Sequence, residues 1–139
     1  MNDSMSQSRF TVLLPSEQEG WHETLTQLLK PQGVQTLFAR SGREALELIE
    51  GRQVHAAVLD TRMPGLGGMQ VIKLMRDMRG KNPPPAILLT EELSNHLLRE
   101  ALTMQVFSVL AKPVDFNLLL DALARLLRRY HENRWPGEG

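Results

Sequence analysis

The chain has 139 residues, of which 42% are hydrophobic, and this suits a single compact domain with one core. Its 16 basic residues balance its 16 acidic ones, so net charge gives no general attraction to nucleic acid or to a membrane surface. Cysteine is absent, which excludes disulfides and thiolate metal sites, and no apolar run reaches membrane-spanning length.

Short apolar runs alternate with amphipathic stretches along the chain. The apolar runs predict five strands, at residues 10–14, 34–39, 54–60, 86–90 and 106–111. Apolar residues at helical spacing predict five helices between and after them. The helices are expected around the stripe Trp21, Leu25, Leu28 and Leu29, at 41–50, around Val71, Ile72, Met75 and Met78, at 94–104, and along Phe116, Leu119, Leu120, Leu123, Leu126, Leu127 and Tyr130. Ser41 with Glu44 predicts a capping box for the second helix.

This alternation predicts an α/β fold, a doubly wound parallel sheet with helices on both faces. We expect a disordered tail at 1–8, one domain at 9–131, and a tail or the start of a linker at 132–139. The opening MNDSMSQSR lacks the apolar core of a signal peptide, so we expect a soluble, cytoplasmic domain. Ligands of such folds bind outside the carboxyl ends of the strands, and the residues there decide the function.

An acid, a hydroxyl and an ammonium group follow three of these strands. Asp60 ends the third strand, Thr90 ends the fourth, and Lys112-Pro113 follows the fifth. Each is ordinary alone, because Asp forms turns and Thr suits strands. Together they could accept and hold a phosphoryl group, since phosphoryl transfer depends on positioning and charge neutralisation.

The segment DTRMPGLGG (60–68) resembles the phosphoacceptor segment of response-regulator receiver domains, and AILLT and AKP place Thr90 and Lys112 at that family's spacing. The resemblance covers roughly residues 9–131 and implies a flavodoxin-like five-stranded sheet in the order 2-1-3-4-5. It implies that Asp60 is the phosphoacceptor, that Thr90 binds a phosphoryl oxygen and that Lys112 neutralises it. The Lys112–Pro113 peptide bond is often cis in this family.

The chain departs from the family at the end of strand 1. Receiver domains hold Mg²⁺ there with two adjacent acids, the acceptor Asp and a backbone carbonyl, which here belongs to Arg62. The two acid positions are occupied by Pro15 and Ser16. We therefore expect no metal and no cofactor, Mg²⁺ being required only by an ordinary receiver. The remaining candidate ligands are Asp60, the backbone of Arg62 and Glu17.

A structural interpretation of this corner is also open. Ser16 with Glu19 forms the pattern of a capping box at the start of the first helix. Alternatively, Glu17 or Glu91 could supply a carboxylate in place of the missing acids.

Two further positions differ from the family pattern. Glu91 follows Thr90 where a small residue is usual, and Val109 stands in strand 5 where an aromatic switch residue is usual. We expect a site held by charge pairing instead of metal, with Lys112 in reach of Asp60. Arg62 is expected to swing into the vacated cation position.

Three functions remain open. The first is an atypical receiver that acts as a signalling and protein-interaction module on a partner or on an output domain of a longer parent chain. The second is an ordinary aspartyl-phosphate receiver fed by a histidine kinase. The third is a small flavodoxin-like enzyme or nucleotide binder, but the sequence has no Gly-rich phosphate loop after strand 1 and no evident nucleophile–base pair.

We therefore expect no enzymatic activity and no direct contact with nucleic acid or membrane. His22, His55, His96 and His131 are interpreted as surface or packing residues. The arginines of the last helix, Arg125, Arg128 and Arg129, suit a protein partner or a homodimer.

Overall fold

The structure, a computed structural model, describes residues 9–16, 20–78 and 82–131. Five strands are present: β1 Phe10–Pro15, β2 Val34–Ala39, β3 Ala56–Asp60, β4 Ala86–Thr90 and β5 Ser108–Ala111. The α-helices in the same ranges are α1 Trp21–Leu29, α2 Gly42–Gly51, α3 Gly68–Arg76, α4 Asn95–Thr103 and α5 Phe116–Tyr130, and a short 3-10 turn, Lys30–Gln32, follows α1.

The strands form one parallel sheet in the order β2-β1-β3-β4-β5, which confirms the predicted fold and strand order. Each connection between parallel strands crosses over through a helix, as parallel pairing requires. Because all strands run the same way, Pro15, Asp60, Thr90 and Ala111 lie at one edge of the sheet.

Alternate residues of each strand point to opposite faces, and each face is covered by helices. One face packs against α1 and α5, in a cluster that includes Val12, Leu14, Leu25, Leu123 and Leu126. The other face packs against α2, α3 and α4, in a cluster that includes Leu13, Leu59, Ile49, Ile72 and Ala101. Buried on both sides, the central strands are apolar nearly throughout.

Two strands begin later than their apolar sequence predicts. β3 begins at Ala56 instead of residue 54, because Val12 and Ala56 are the first residues of the two strands to pair. β5 begins at Ser108 instead of residue 106, because the backbone N–H of Val106 donates to Ala101 and closes the turn after α4. Both predicted strands are two residues too long at their start, because the apolar run begins before the residues that pair in the sheet.

The predicted capping box at Ser16 is wrong. Helix α1 begins at Trp21 with Gly20 as its N-cap, and Ser16 Oγ instead forms a hydrogen bond of 2.8 Å with Nε2 of His22. Glu19, the other half of that pattern, lies outside the described residues, as does Glu17.

Ser41 does cap α2 as predicted, accepting from the backbone N–H of Glu44 at 3.1 Å. The Glu44 carboxylate completes the motif one residue earlier than expected, because it accepts from the N–H of Arg40.

Three members of the predicted apolar stripes lie at the margin of the core. Leu28 is 43% exposed, since the buried face of α1 follows Trp21, Leu25 and Leu29. Tyr130 is 45% exposed at the last turn of α5. Met78 lies beyond the end of α3, which is reached at Arg76.

None of the helices in the described ranges is long and apolar enough to cross a membrane. The predicted tails at 1–8 and 132–139 fall outside those ranges. The boundaries of the domain at 9–131 stay a prediction.

Candidate functional site

Asp60 and Lys112 form an ion pair at the carboxyl edge of the sheet. Nζ of Lys112 lies 2.5 Å from Oδ2 of Asp60, and the two side chains are 13% and 7% exposed. The other carboxylate oxygen, Oδ1, accepts from the backbone N–H of Arg62 at 2.8 Å. Both oxygens of Asp60 therefore have donors, which confirms that Lys112 lies within reach of it.

Hydrogen bonds connect Thr90 to Lys112 and to Thr61, the residue that follows Asp60. Its carbonyl accepts from the backbone N–H of Lys112 at 2.8 Å, and Thr61 Oγ1 donates to Thr90 Oγ1 at 3.4 Å. The Thr90 hydroxyl donates to the carbonyl of Glu92 at 3.0 Å and accepts from the N–H of that residue. The predicted meeting of Asp60, Thr90 and Lys112 is thus confirmed, while their roles in phosphoryl chemistry stay predictions.

The backbone around the site is sharply constrained. The Lys112–Pro113 peptide bond is cis, as the family resemblance implies. In the loop after β3, Gly65 adopts a φ of 77°, which favours glycine. Gly68 opens α3 directly against β3, and a Cβ on it would lie 2.7 Å from the carbonyl oxygen of Asp60.

Arg62 and Glu91 form a second ion pair, at the rim of the site. Arg62 Nη1 donates to Glu91 Oε1 at 2.8 Å, and the side chains are 72% and 55% exposed. The expectation that Arg62 fills the vacated cation position is wrong. Asp60 is already paired with Lys112, and the guanidinium of Arg62 pairs with Glu91. This contact joins the loops that follow β3 and β4.

The end of β1 supplies little that could bind a cation. Pro15 is buried and has no side-chain oxygen, and the Ser16 hydroxyl is bonded to His22, whose ring stacks on Phe38 with centroids 3.9 Å apart. Within the described ranges, no group of three His, Asp or Glu residues could hold a metal ion. Mg²⁺ prefers a near-octahedral set of oxygens, and these residues do not fit that preference.

Val109 lies in β5 opposite Leu88 and is partly buried against the core cluster that contains α3 and α4. No aromatic ring occupies this position, and a β-branched side chain has a stiff χ1 angle.

Helix α4 is fastened to α3 by two contacts that sequence reasoning missed. Lys73 Nζ lies 2.6 Å from Glu100 Oε2, and Arg76 Nη1 donates to the carbonyl of Met104 at 2.7 Å. Thr61 and His22 were also missed as neighbours of the site. Thr61 could have been found from its place directly after Asp60, whereas nothing in the sequence marks His22 as the partner of Ser16.

Comparisons with known proteins agree with this geometry. The family described as "Response regulator receiver domain" matches residues 12–124. Response regulator RR06 of Streptococcus pneumoniae is 30% identical in an alignment of 131 positions that covers 89% of this chain and 57% of that protein. Sporulation initiation phosphotransferase F of Bacillus subtilis is 24% identical over 116 residues, 84% of this chain and 92% of that protein.

Among solved structures, the signal receiver domain of an HD domain-containing protein from Pseudomonas fluorescens is 29% identical. It superimposes with a TM-score of 0.76 over 88% of this chain and 98% of that one. The chain spans 57% of the length of RR06, little more than half of that protein.

Proposed function

Because this chain belongs to the response regulator receiver domain family, we propose that it is a receiver whose signalling does not depend on phosphorylation of Asp60. It would act as a protein-interaction module on a signalling partner or on an output domain of a longer parent chain. The proposal includes a cytoplasmic location, no bound Mg²⁺ and no enzymatic activity of its own.

The observation that carries this proposal is at the end of β1, where Pro15 and Ser16 provide no carboxylate to bind a divalent ion beside the Asp60–Lys112 pair. A carboxylate that attacks an anionic phosphoryl donor needs positive charge to neutralise the reacting group. Lys112 is the cation nearest to Asp60 among the described contacts, and the carboxylate itself uses it. At the end of β1, Pro15 and Ser16 offer no carboxylate with which a divalent ion could be recruited in addition.

The ion pair between Arg62 and Glu91 supports the same conclusion. It bridges the two loops beside Asp60 with a bulky anion where an incoming phosphoryl donor would approach. The pair also engages the guanidinium of Arg62, which would otherwise be a second cation for an incoming anion. The pair is exposed, so its effect is expected on access and not on the stability of the fold.

An ordinary phosphoacceptor receiver is the second candidate. The observation that favours it is the meeting of Asp60, Thr90 and Lys112 at one sheet edge, with Thr90 linked to Lys112 through its backbone. A histidine kinase would then supply the phosphoryl group, and a divalent ion would have to be held by ligands other than the usual acids.

The face through which the chain would act is also part of the proposal. Leu118, Arg125 and Arg129 are exposed, and their spacing places them on one side of α5. A leucine next to two cations suits a partner with an apolar and acidic surface, or a second copy of this chain. In such a dimer Asp121, which pairs with Arg125 of its own helix at 3.0 Å, would meet the arginines of the other copy. Size-exclusion chromatography with light scattering distinguishes the homodimer from the monomer.

Phosphorylation of Asp60 is the direct test. The protein is incubated with acetyl phosphate, with and without Mg²⁺, and its intact mass is measured beside that of Asp60→Asn. We expect no phosphoryl adduct in either protein under either condition. Stoichiometric, Mg²⁺-dependent labelling that is lost in Asp60→Asn would establish the second candidate instead.

A further inference from the structure

A cleft of about 760 Å³ opens at the end of the sheet opposite to Asp60. His55 and Pro85 line it and directly precede β3 and β4, whereas Asp60 and Thr90 are the last residues of those strands. A strand of this length spans roughly 13–17 Å, so the cleft is separate from the candidate phosphoryl site. Its walls also include the end of α2 and the last turn of α5.

The walls combine basic groups with apolar surface. Arg52, His55 and His131 line the cleft, and none of its described lining residues is acidic. The guanidinium of Arg52 is charged at any physiological pH. Met78 and the ring of Tyr130 contribute apolar surface beside these groups. The cleft therefore favours a molecule with an anionic group and an apolar body.

Hydrogen bonds hold two of the basic residues in place. The backbone N–H of Thr11 donates to Nδ1 of His55 at 2.9 Å, and Nε2 of His131 donates to the carbonyl of His55 at 3.1 Å. The two imidazole centroids are 4.9 Å apart, and the ring of Phe10, which is fully buried, meets that of His55 edge-on. These contacts fasten the end of α5 to the start of β1 and to the residue before β3.

The opposite wall is stiff for a different reason. Pro83, Pro84 and Pro85 line it in succession, and proline fixes its own φ angle. None of the three offers a backbone N–H, so these prolines supply no main-chain donor to a ligand. A cleft between two preformed walls binds a ligand with little cost of ordering.

We propose that this cleft binds a small aromatic monoanion, a carboxylate or sulfonate, with its charged group on Arg52 and its ring against Tyr130 and Met78. The volume lies within the usual range for small-molecule sites, roughly 300–1,000 Å³. Arginine donates two parallel hydrogen bonds to a carboxylate or a sulfonate, and Arg52, the one permanent cation among the described lining residues, suits a single negative charge better than a polyphosphate. Aromatic and thioether groups contact a flat ring favourably.

The cleft shares no lining residue with the candidate phosphoryl site, so the proposal does not rest on phosphorylation of Asp60. A bound anion would connect the last turn of α5 with the segments that enter β3 and β4. The domain would thus take a chemical input at the end of the sheet away from the candidate phosphoryl site.

Titration with 1-anilinonaphthalene-8-sulfonate, an aromatic sulfonate whose fluorescence rises on binding, tests the proposal. Arg52→Gln is expected to weaken binding about tenfold, the lower end of what a charge-assisted hydrogen bond contributes. Arg43→Gln is the matched control, because Arg43 is exposed near the start of α2, the helix that ends just before Arg52, and does not line the cleft. The uncharged analogue N-phenyl-1-naphthylamine is expected to bind at least about tenfold more weakly than the sulfonate.

Backbone amide NMR shifts locate the bound probe, and the same spectra verify that both variants are folded. Shifts at Gln53, Val54 and Tyr130 support the proposal. Equal affinity of Arg52→Gln and the unmodified protein would overturn it. So would equal binding of the uncharged analogue, or shifts concentrated at Leu98 and Leu102 on the exposed side of α4.

Discussion

Nζ of Lys112 lies 2.5 Å from Oδ2 of Asp60, although 52 positions separate the two residues in the chain. Both side chains are almost excluded from solvent, at 13% and 7% exposure. A pair of buried charges contributes little net stability, because its formation must offset the loss of hydration. Removal of one partner leaves the other charge buried and uncompensated, and that is costly.

We predict that Lys112→Met lowers the free energy of unfolding by about 3 kcal/mol, the cost of a buried charge that loses its partner. The double variant Asp60→Asn with Lys112→Met should recover most of this loss, because no buried charge then remains. Urea unfolding measures both. Lys73→Met is the control, since Lys73 is half exposed in its pair with Glu100 and should cost under about 1 kcal/mol. A loss in Lys112→Met no greater than in Lys73→Met would contradict the prediction.

Restoring the acids at the end of β1 should create affinity for Mg²⁺. Pro15→Asp with Ser16→Asp places two carboxylates beside Asp60, and each neighbouring carboxylate is worth on the order of a few kcal/mol to a bound cation, or ~10²-fold in affinity. Isothermal titration with Mg²⁺ measures the change. Ser16→Ala is the control, because it breaks the bond to His22 without adding charge.

An unchanged Mg²⁺ affinity in this variant would show that a separate group blocks the site. Glu91→Ala, added to the two acids, then decides whether the ion pair with Arg62 is that group.

Val109→Tyr should not make partner or dimer affinity dependent on a phosphoryl analogue. The Thr90 hydroxyl donates to the carbonyl of Glu92 and accepts from the N–H of the same residue. An aromatic ring in β5 would therefore pack beside a threonine whose hydroxyl already makes these two hydrogen bonds. Light scattering with and without beryllofluoride measures dimer formation in the variant and in the unmodified protein. A shift caused by the analogue in the unmodified protein would refute this prediction and the proposed function together.

Gly68→Ala, at the first residue of α3, should disturb the backbone of Asp60. Its Cβ would lie 2.7 Å from the carbonyl oxygen of Asp60, so backbone must move. We expect a loss of about 1–3 kcal/mol, the usual cost of overpacking. At Gly51 the same change meets no atom within 4 Å and lies in a helix, so Gly51→Ala should be neutral or slightly stabilising. Thermal unfolding of the two variants compares them directly.

The sheet order, the two-sided packing and the meeting of Asp60 with Lys112 could be anticipated, because each depends on patterns that are visible in the amino-acid sequence. Apolar runs of β-branched residues predict buried parallel strands, and parallel strands bring their carboxyl ends to one edge. Thr90, the last residue of a predicted strand, and Lys112, which directly follows one, could be found from these positions alone.

Side-chain partners at the surface could not be anticipated in the same way. The sequence offers Arg62 two acidic partners, Asp60 and Glu91. Arg62 pairs with Glu91 because Lys112 already pairs with Asp60. Ser16 fits a capping pattern, but the helix begins later, at Trp21, and its hydroxyl binds an imidazole instead. Competition between partners is decided in three dimensions, and helix starts are the least certain part of a prediction.

The position of β5 has a consequence for synthesis of the chain. β5 is an edge strand of four residues and the last strand of the described ranges, so it leaves the ribosome after β4, and Lys112 follows it directly. Until it emerges, β4 has one side without a neighbour, and the carboxylate of Asp60 has no ammonium beside it. An unpaired strand edge on a nascent chain is a template for association with other chains. The interval between the emergence of Thr90 and that of Lys112 from the ribosome is therefore a period in which this domain needs protection from its neighbours on a polysome.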